Sequence, residues 1–341
     1  MTTIRDVAAK ANVSVATVSA VINDKPGVSA TVRKRVRAVI EDLDYKPNGL
    51  ARALFSKQSA CVAFLVPSIS NPGYARVLRS AEHVCQERGY SIYVGQTNGN
   101  RDVALKHQER LIELRVAGVL HALTWDVAWE EYAATFLRHN IPVVGTGGSR
   151  VSNSIDCFLV DPAEAGYMAG RYLRDLGHTR VAFLGPTHSH TAAQRLAGVR
   201  NAFAENDLPL DDGLVRFCDG YDFDSAYRAT RELVAHSYPF TALVVFNDLM
   251  ATGAVAALVE QGLSVPHNVS IMTFGSFYAS VFNPKLTSIG EPEDEFGRLA
   301  TTRLLDRIEK KHQEKPDVTR LKPSLELRQS TIALSAVGTV R

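Results

Sequence analysis

TIRDVAAKANVSVATVSAVIN, residues 3–23, decides the reading of this 341-residue chain. Ile4, Val7, Ala8 and Ala11 recur at helical spacing, Asn12 supplies a break, and Ser14 is placed to cap a second helix. That second helix runs through VATVSAVI, with Val15, Val18, Val21 and Ile22 three and four residues apart. A polar loop, 23–27, contains Pro26 and Gly27; Ser29 then caps a third helix with Val32, Val36, Val39, Ile40 and Leu43 on one face. Two short helices joined by a tight turn and closed by a third form a helix-turn-helix unit, assigned to residues 1–46.

Charge is distributed in keeping with such a head. Residues 1–58 hold ten Lys or Arg against five acids, a net +5, whereas the remaining residues carry −3; the whole-chain value of +2 conceals both. A basic head on a slightly acidic body is the asymmetry of a nucleic-acid-binding protein. Apolar content of 45% and charged content of 22% exclude global disorder, collagen and coiled-coil rods. No apolar run is long enough to cross a bilayer, and Arg5, Asp6 and Lys10 interrupt any signal-peptide pattern, so a cytoplasmic protein without membrane partners is expected. Cys61, Cys85, Cys157 and Cys218 form no CxxC pair. They are read as buried free thiols, three in strand-like runs and Cys85 in a helix.

Pro47 ends the head, and Asn48 caps GLARALF before the polar SKQS, making residues 47–59 a hinge helix and linker. A helix this short is marginal in water and orders only when docked. From residue 60 apolar strands alternate with amphipathic helices. The strand candidates are 61–66, 90–95, 118–123, 141–147, 157–160, 180–185, 215–220, 242–247 and 269–275. Alternation about every 30 residues specifies two doubly wound parallel sheets. Ligands in such sheets bind at the carboxyl ends of strands, here in the cleft between two lobes.

TIRDVAAKANVSVATVSAVIN, followed by KPGVSATVRKRV (25–36) and YKPNGLARAL (45–54), closely resembles the head and hinge of the LacI/GalR family of bacterial transcription regulators. The body is similar to that family at VPSISNPGYARVL (66–78), RLAGV (195–199), FNDLMATGA (246–254) and LTSIGEPEDEFGRLA (286–300). The resemblance implies an all-α head on a two-lobed, periplasmic-binding-protein-like α/β domain at 60–341. Lobe one is expected at about 60–160 plus 292–320, and lobe two at about 161–291 plus 321–332. It further implies a homodimeric repressor, bound to a pseudo-palindromic operator in double-stranded DNA and controlled by a small-molecule effector.

Carried over by position, Val15, Ala16 and Ala20 read base edges, while Thr3, Thr17, Ser19 and Ser29 bond phosphates. The family usually has a hydrogen-bonding residue where this chain has Ala20, so specificity should rest on thymine methyl contacts and DNA shape instead of a guanine fork. In the hinge, Leu54 is the implied minor-groove wedge, with Asn48 and Arg52 beside it. Such a wedge unstacks a base step at a cost of a few kcal/mol, recovered through wrapping.

For the effector, the resemblance implies Arg195 and Asn247 as hydrogen-bonding residues, with Ser70, Tyr74, Trp125, Tyr221, His188 and His190 around the ligand. A salt bridge across the lobes is the structural alternative for Arg195. Gly147 and Gly275 stand where the family often has acids, and Gly73 where a bulky aromatic is usual. Loss of two acids makes the cleft more positive and points to an anionic effector, an organic or sugar acid. No cofactor and no metal is expected: there is no Walker loop or HExxH, GTGGS (145–149) reads as a turn, and His188 with His190 lacks a third ligand. Residues 60–330 alone would also suit a periplasmic-type solute-binding protein, against which the basic head counts; no catalytic constellation supports an enzyme.

Overall fold

The structure, a computed structural model, describes residues 2–22, 24–45, 59–69, 71–122, 129–147, 152–187, 189–237 and 239–334. Two compact units, 1–60 and 61–341, divide the chain.

The first unit holds three helices, α1 (Ile4–Ala11), α2 (Val15–Ile22) and α3 (Ala30–Asp42). Thr3 caps α1 reciprocally: its N–H donates to the Asp6 carboxylate at 2.8 Å, and its Oγ1 accepts from the Asp6 N–H at 3.4 Å. Asn12 ends the helix in the left-handed conformation, φ 49°. Ser14 then caps α2, accepting from Thr17 N–H at 3.1 Å. Val7, Ala8, Ala11, Val18, Val21 and Val36 form the buried core, with Val32, Val39, Ile40 and Leu43 packed around it. A core of small branched side chains suits helices that must approach closely.

In the second unit the order is β1 (Cys61–Val66), α4 (Pro72–Glu87), β2 (Ser91–Gln96), α5 (Arg101–Glu113), β3 (Gly118–Ala122), α6 (Trp129–Arg138), β4 (Val143–Thr146) and β5 (Asp156–Val160). There follow α7 (Pro162–Asp175), β6 (Val181–Pro186), α8 (His190–Ala204), β7 (Val215–Cys218), α9 (Phe223–Ser237), β8 (Ala242–Val245), α10 (Asp248–Glu260), β9 (Ser270–Phe274) and α11 (Phe277–Val281). The chain closes with β10 (Thr287–Gly290), α12 (Glu293–Ile308), β11 (Val318–Leu321) and β12 (Ser324–Glu326).

Two six-stranded sheets result, ordered β11-β5-β4-β3-β1-β2 and β12-β10-β9-β8-β6-β7. All pairs are parallel except β10 with β12. Parallel sheets need both faces covered, and strand alternation supplies the two faces. In β1, Val62, Phe64 and Val66 face Val77 and Ala81 of α4 and Phe296 and Leu304 of α12, whereas Ala63 and Leu65 face Leu111 of α5 and Phe136 of α6. In β6, Phe183 packs on Leu173 and Phe203 of α7 and α8, and Leu184 on Leu233 and Met250 of α9 and α10.

Three short strands, β10, β11 and β12, were absent from the sequence expectation. Each has only three or four residues, and β11 and β12 are no more than half-buried, so no apolar run marks them. Tertiary pairing fixes them instead: β10 lies between β9 and β12, and ahead of β11 the Asp317 N–H and the Arg303 and Arg307 guanidinium groups all converge on buried Asp156, at 3.2, 2.6 and 2.8 Å. The chain therefore crosses between sheets at 161, at 291–292 and at 322–323. Of the cysteines, Cys85 and Cys157 are buried; Cys61 and Cys218 are only partly so, and none is bridged.

Candidate functional site

The head presents α2 with two contrasting faces. Val18 and Val21 are buried, while Val15 is 41% exposed and Ala16 is exposed beside it. An exposed Val at a helix start contributes little to folding, so that surface is available for apolar contact with a base. Thr17, Ser19 and Ala20 are half-buried on the same helix. The Thr17 hydroxyl meets the Ser14 hydroxyl at 2.9 Å, and Ser29 caps α3 through Val32 N–H at 3.4 Å. Thr3, Thr17 and Ser29 thus sit at helix N-termini, where backbone N–H groups and the helix dipole favour phosphate. Asp24 pairs with both Arg33 and Arg37, at 2.9 and 2.8 Å, leaving one net positive charge while drawing two basic residues into the loop's own structure. Asn48, Arg52 and Leu54 lie outside the described residues.

In the body, Arg195 lies on α8 and is 6% exposed. Its guanidinium sits between two rings, 4.2 Å from the Phe274 centroid and 4.8 Å from that of Phe246. One arm donates to the Phe246 carbonyl at 2.7 Å, and another pairs with the Glu291 carboxylate. Burial pulls this guanidinium below its ordinary value, and the Glu291 charge opposes that pull. Nε has no hydrogen-bond partner among the described residues. The phenyl rings stand at the carboxyl ends of β8 and β9, which is where a doubly wound sheet presents ligand sites.

Around this group the structure brings together Tyr74, Tyr221 and Asn247. Tyr74, near the start of α4 in the other lobe, has its hydroxyl pushed well above the ordinary value by burial and by Glu291. Tyr221 is 52% exposed and meets the Phe246 ring edge-on at 5.7 Å. Asn247 caps α10, accepting from Met250 N–H at 2.7 Å, and donates to the Tyr221 carbonyl at 3.2 Å. Its side chain therefore holds the Tyr221 loop as well as the helix. His190 is exposed at the first turn of α8. Ser70, Trp125 and His188 lie outside the described residues. No group of three or more metal-binding side chains occurs among the described residues.

The charged groups about the cleft are paired with one another. Glu291 matches Arg195, and Arg76 is matched by Asp294 at 2.8 Å and Glu293 at 3.6 Å. Burial pushes the Glu293 carboxyl up to about 7, with Glu291 adding to the rise and Arg76 opposing it. Buried Asp248 is raised by desolvation and held by Tyr278 N–H at 2.7 Å. Gly147 and Gly275 have φ of +67° and +91°, so the missing acids coincide with left-handed backbone that glycine adopts without cost. A Cβ at 275 would also lie 3.4 Å from the Asp248 carboxyl, so an acid already occupies that corner.

Glu291, Phe246 and Phe274 were missed from the sequence. The two phenylalanines end the strand runs ALVVF and SIMTF, and strand-end position is the signal that could have found them. Glu291 directly follows TSIG, at the second crossing between lobes.

Comparison with known proteins bears on both units. Residues 3–48 match the bacterial regulatory proteins of the lacI family, and residues 171–331 match the periplasmic binding protein-like domain. The chain is 34% identical over 338 residues to the HTH-type transcriptional repressor PurR of Escherichia coli O1:K1 / APEC, covering 97% of each. A lac repressor dimer bound to operator and the anti-inducer ONPF superposes with a TM-score of 0.84 at 26% identity, covering 97% of this chain and 99% of that one. A LacI family regulator from Enterococcus faecium with bound ribose gives 0.73 at 25% identity, over 80% of this chain and 99% of that one. No helix among the described residues is long and apolar enough to cross a membrane. With a helix-turn-helix head, two wound sheets and a repressor's identity sustained along nearly its whole length, the chain belongs to the LacI family of bacterial regulatory proteins and is a DNA-binding transcriptional regulator.

Proposed function

We propose that the protein is a cytoplasmic homodimeric repressor that binds a pseudo-palindromic operator and changes its affinity when a small molecule enters the cleft beside Arg195. The observation that carries effector control is the Arg195 guanidinium itself, buried between Phe246 and Phe274 at the strand ends and turned toward Glu291 on a crossing between lobes. An effector acts there by preferring one arrangement of the lobes to another, and only that difference in affinity can shift the head's engagement with DNA. The relatives support the reading: the lac repressor was solved as a dimer on operator, and the Enterococcus faecium regulator with ribose.

On the DNA side, Val15, Ala16 and Ala20 read base edges through apolar contact, and Thr3, Thr17, Ser19 and Ser29 hold phosphates. Asn48, Arg52 and Leu54 form the hinge, with Leu54 as the wedge. Ser70, Tyr74, Trp125, His188, His190, Tyr221 and Asn247 complete the effector site with Arg195. The expectation of an anionic effector loses its charge argument at Glu291, which already neutralises the guanidinium. The protein carries no enzymatic function and needs no cofactor in this reading, and a solute-binding role without DNA is disfavoured by the matched head.

Selection of an operator from genomic fragments, followed by mobility shift, tests the assignment. An inverted repeat retained selectively, with retention falling steeply as salt rises, is expected. Equal retention of all fragments would overturn it.

A further inference from the structure

The geometry points to Glu291 as a built-in counter-ion that selects against net-negative effectors by occupying the Arg195 guanidinium. This rests on the reading of the cleft as the effector site and adds the charge class that the site accepts.

Arg195 cannot turn away from the cleft to meet an anion elsewhere, because two rings hold its plane and the Phe246 carbonyl fixes one arm at 2.7 Å. Glu291 takes the second terminal nitrogen, on the side of Tyr74, so that only Nε is without a partner among the described residues and a bidentate anion finds no free pair of terminal nitrogens. A carboxylate or phosphate ligand would have to displace it, and the displaced charge would sit near Glu293 and Asp248 with Arg76 already bound to Asp294 and Glu293. The ligand's charge would then join the carboxyls of Glu291, Glu293 and Asp248 in a site largely withdrawn from water. A neutral ligand meets no such cost: it can bond the exposed edge of the ion pair, donating to Glu291 while the pair stays intact.

The test uses full-length protein and sodium acetate as a bare carboxylate probe, at constant ionic strength, read by NMR of labelled acetate and by thermal shift. Wild-type protein is expected to show no saturable acetate binding at this site. Glu291→Gln, which keeps size and a hydrogen-bond acceptor while losing charge, should bind acetate saturably, with a Kd at least about tenfold below the highest acetate concentration at which wild type shows none, since an unpaired buried cation remains. Adding Arg195→Met to Glu291→Gln should abolish the gain. Glu291→Ala should melt lower than wild type and be restored by acetate; should that variant fail to fold, Glu291→Gln still decides. Equal acetate binding by wild type and Glu291→Gln, no gain in a folded Glu291→Gln, or binding that survives Arg195→Met would each overturn the assignment. Operator retention and its response to neutral metabolites, measured on the same proteins, report separately on effector control.

Discussion

A Cβ at Gly166 would lie 2.0 Å from the carbonyl oxygen of Arg195, so the backbones of α7 and α8 touch at the turn that carries this arginine. Gly198 makes the reciprocal approach, its Cβ position 2.0 Å from the Ala163 carbonyl. Gly166→Ala must push α8 outward and carry Arg195 away from Phe274. Overpacking of this kind costs about 1–3 kcal/mol. Thermal unfolding should show that loss, and the effector response should weaken, while DNA affinity without effector stays at the wild-type value.

Glu293 makes stability depend on pH in an unusual direction. Its carboxyl titrates near 7 when folded against an ordinary 4.5. Between those values the unfolded chain loses a proton that the folded chain keeps, so stability falls as pH rises through this window and the full penalty is present above it. The shift corresponds to about 3 kcal/mol. Glu293→Gln should therefore stabilise the protein at pH 8 and do little at pH 4, as urea titrations at the two pH values would show.

His121 governs the acid side. It is 1% exposed on β3, with Nδ1 2.9 Å from the Ala122 carbonyl, and burial pulls it down to about 3 from 6.5. The unfolded chain takes up this proton as pH falls below 6.5 while the folded chain refuses it. Stability is thus lost progressively between 6.5 and about 3, by up to roughly 4–5 kcal/mol. His121→Phe should flatten that limb of the stability curve; an unchanged acid midpoint would contradict the buried, neutral imidazole.

Val15 separates recognition from folding. Being exposed, Val15→Ser should alter head stability by less than about 0.5 kcal/mol. Operator affinity should fall by about 1–3 kcal/mol, concentrated at one base pair of each half-site. Competition with operators changed singly from thymine at that position would reveal the loss of discrimination.

Local patterning carried most of the architecture in the sequence. Asn12, Ser14 and Ser29 punctuate the head because caps act within one turn, and β1 to β9 announce themselves as apolar runs. The short β10, β11 and β12 did not, since their place is set by partners such as Asp156 and by the return of the chain between lobes. The same contrast holds in the cleft. Arg195 was visible from RLAGV, but its partner lies 96 residues away, and no local pattern announces that a crossing residue will meet a buried guanidinium.

In the proposed function, Arg195 links a small molecule in the cleft to the affinity of the head for DNA. Mobility shift on the selected operator, with and without a low-molecular-weight bacterial metabolite extract, tests it for wild type and Arg195→Met side by side. Equal operator affinity for both proteins without extract, and a response to extract in wild type alone, are expected. An equal response in the two proteins would contradict that link.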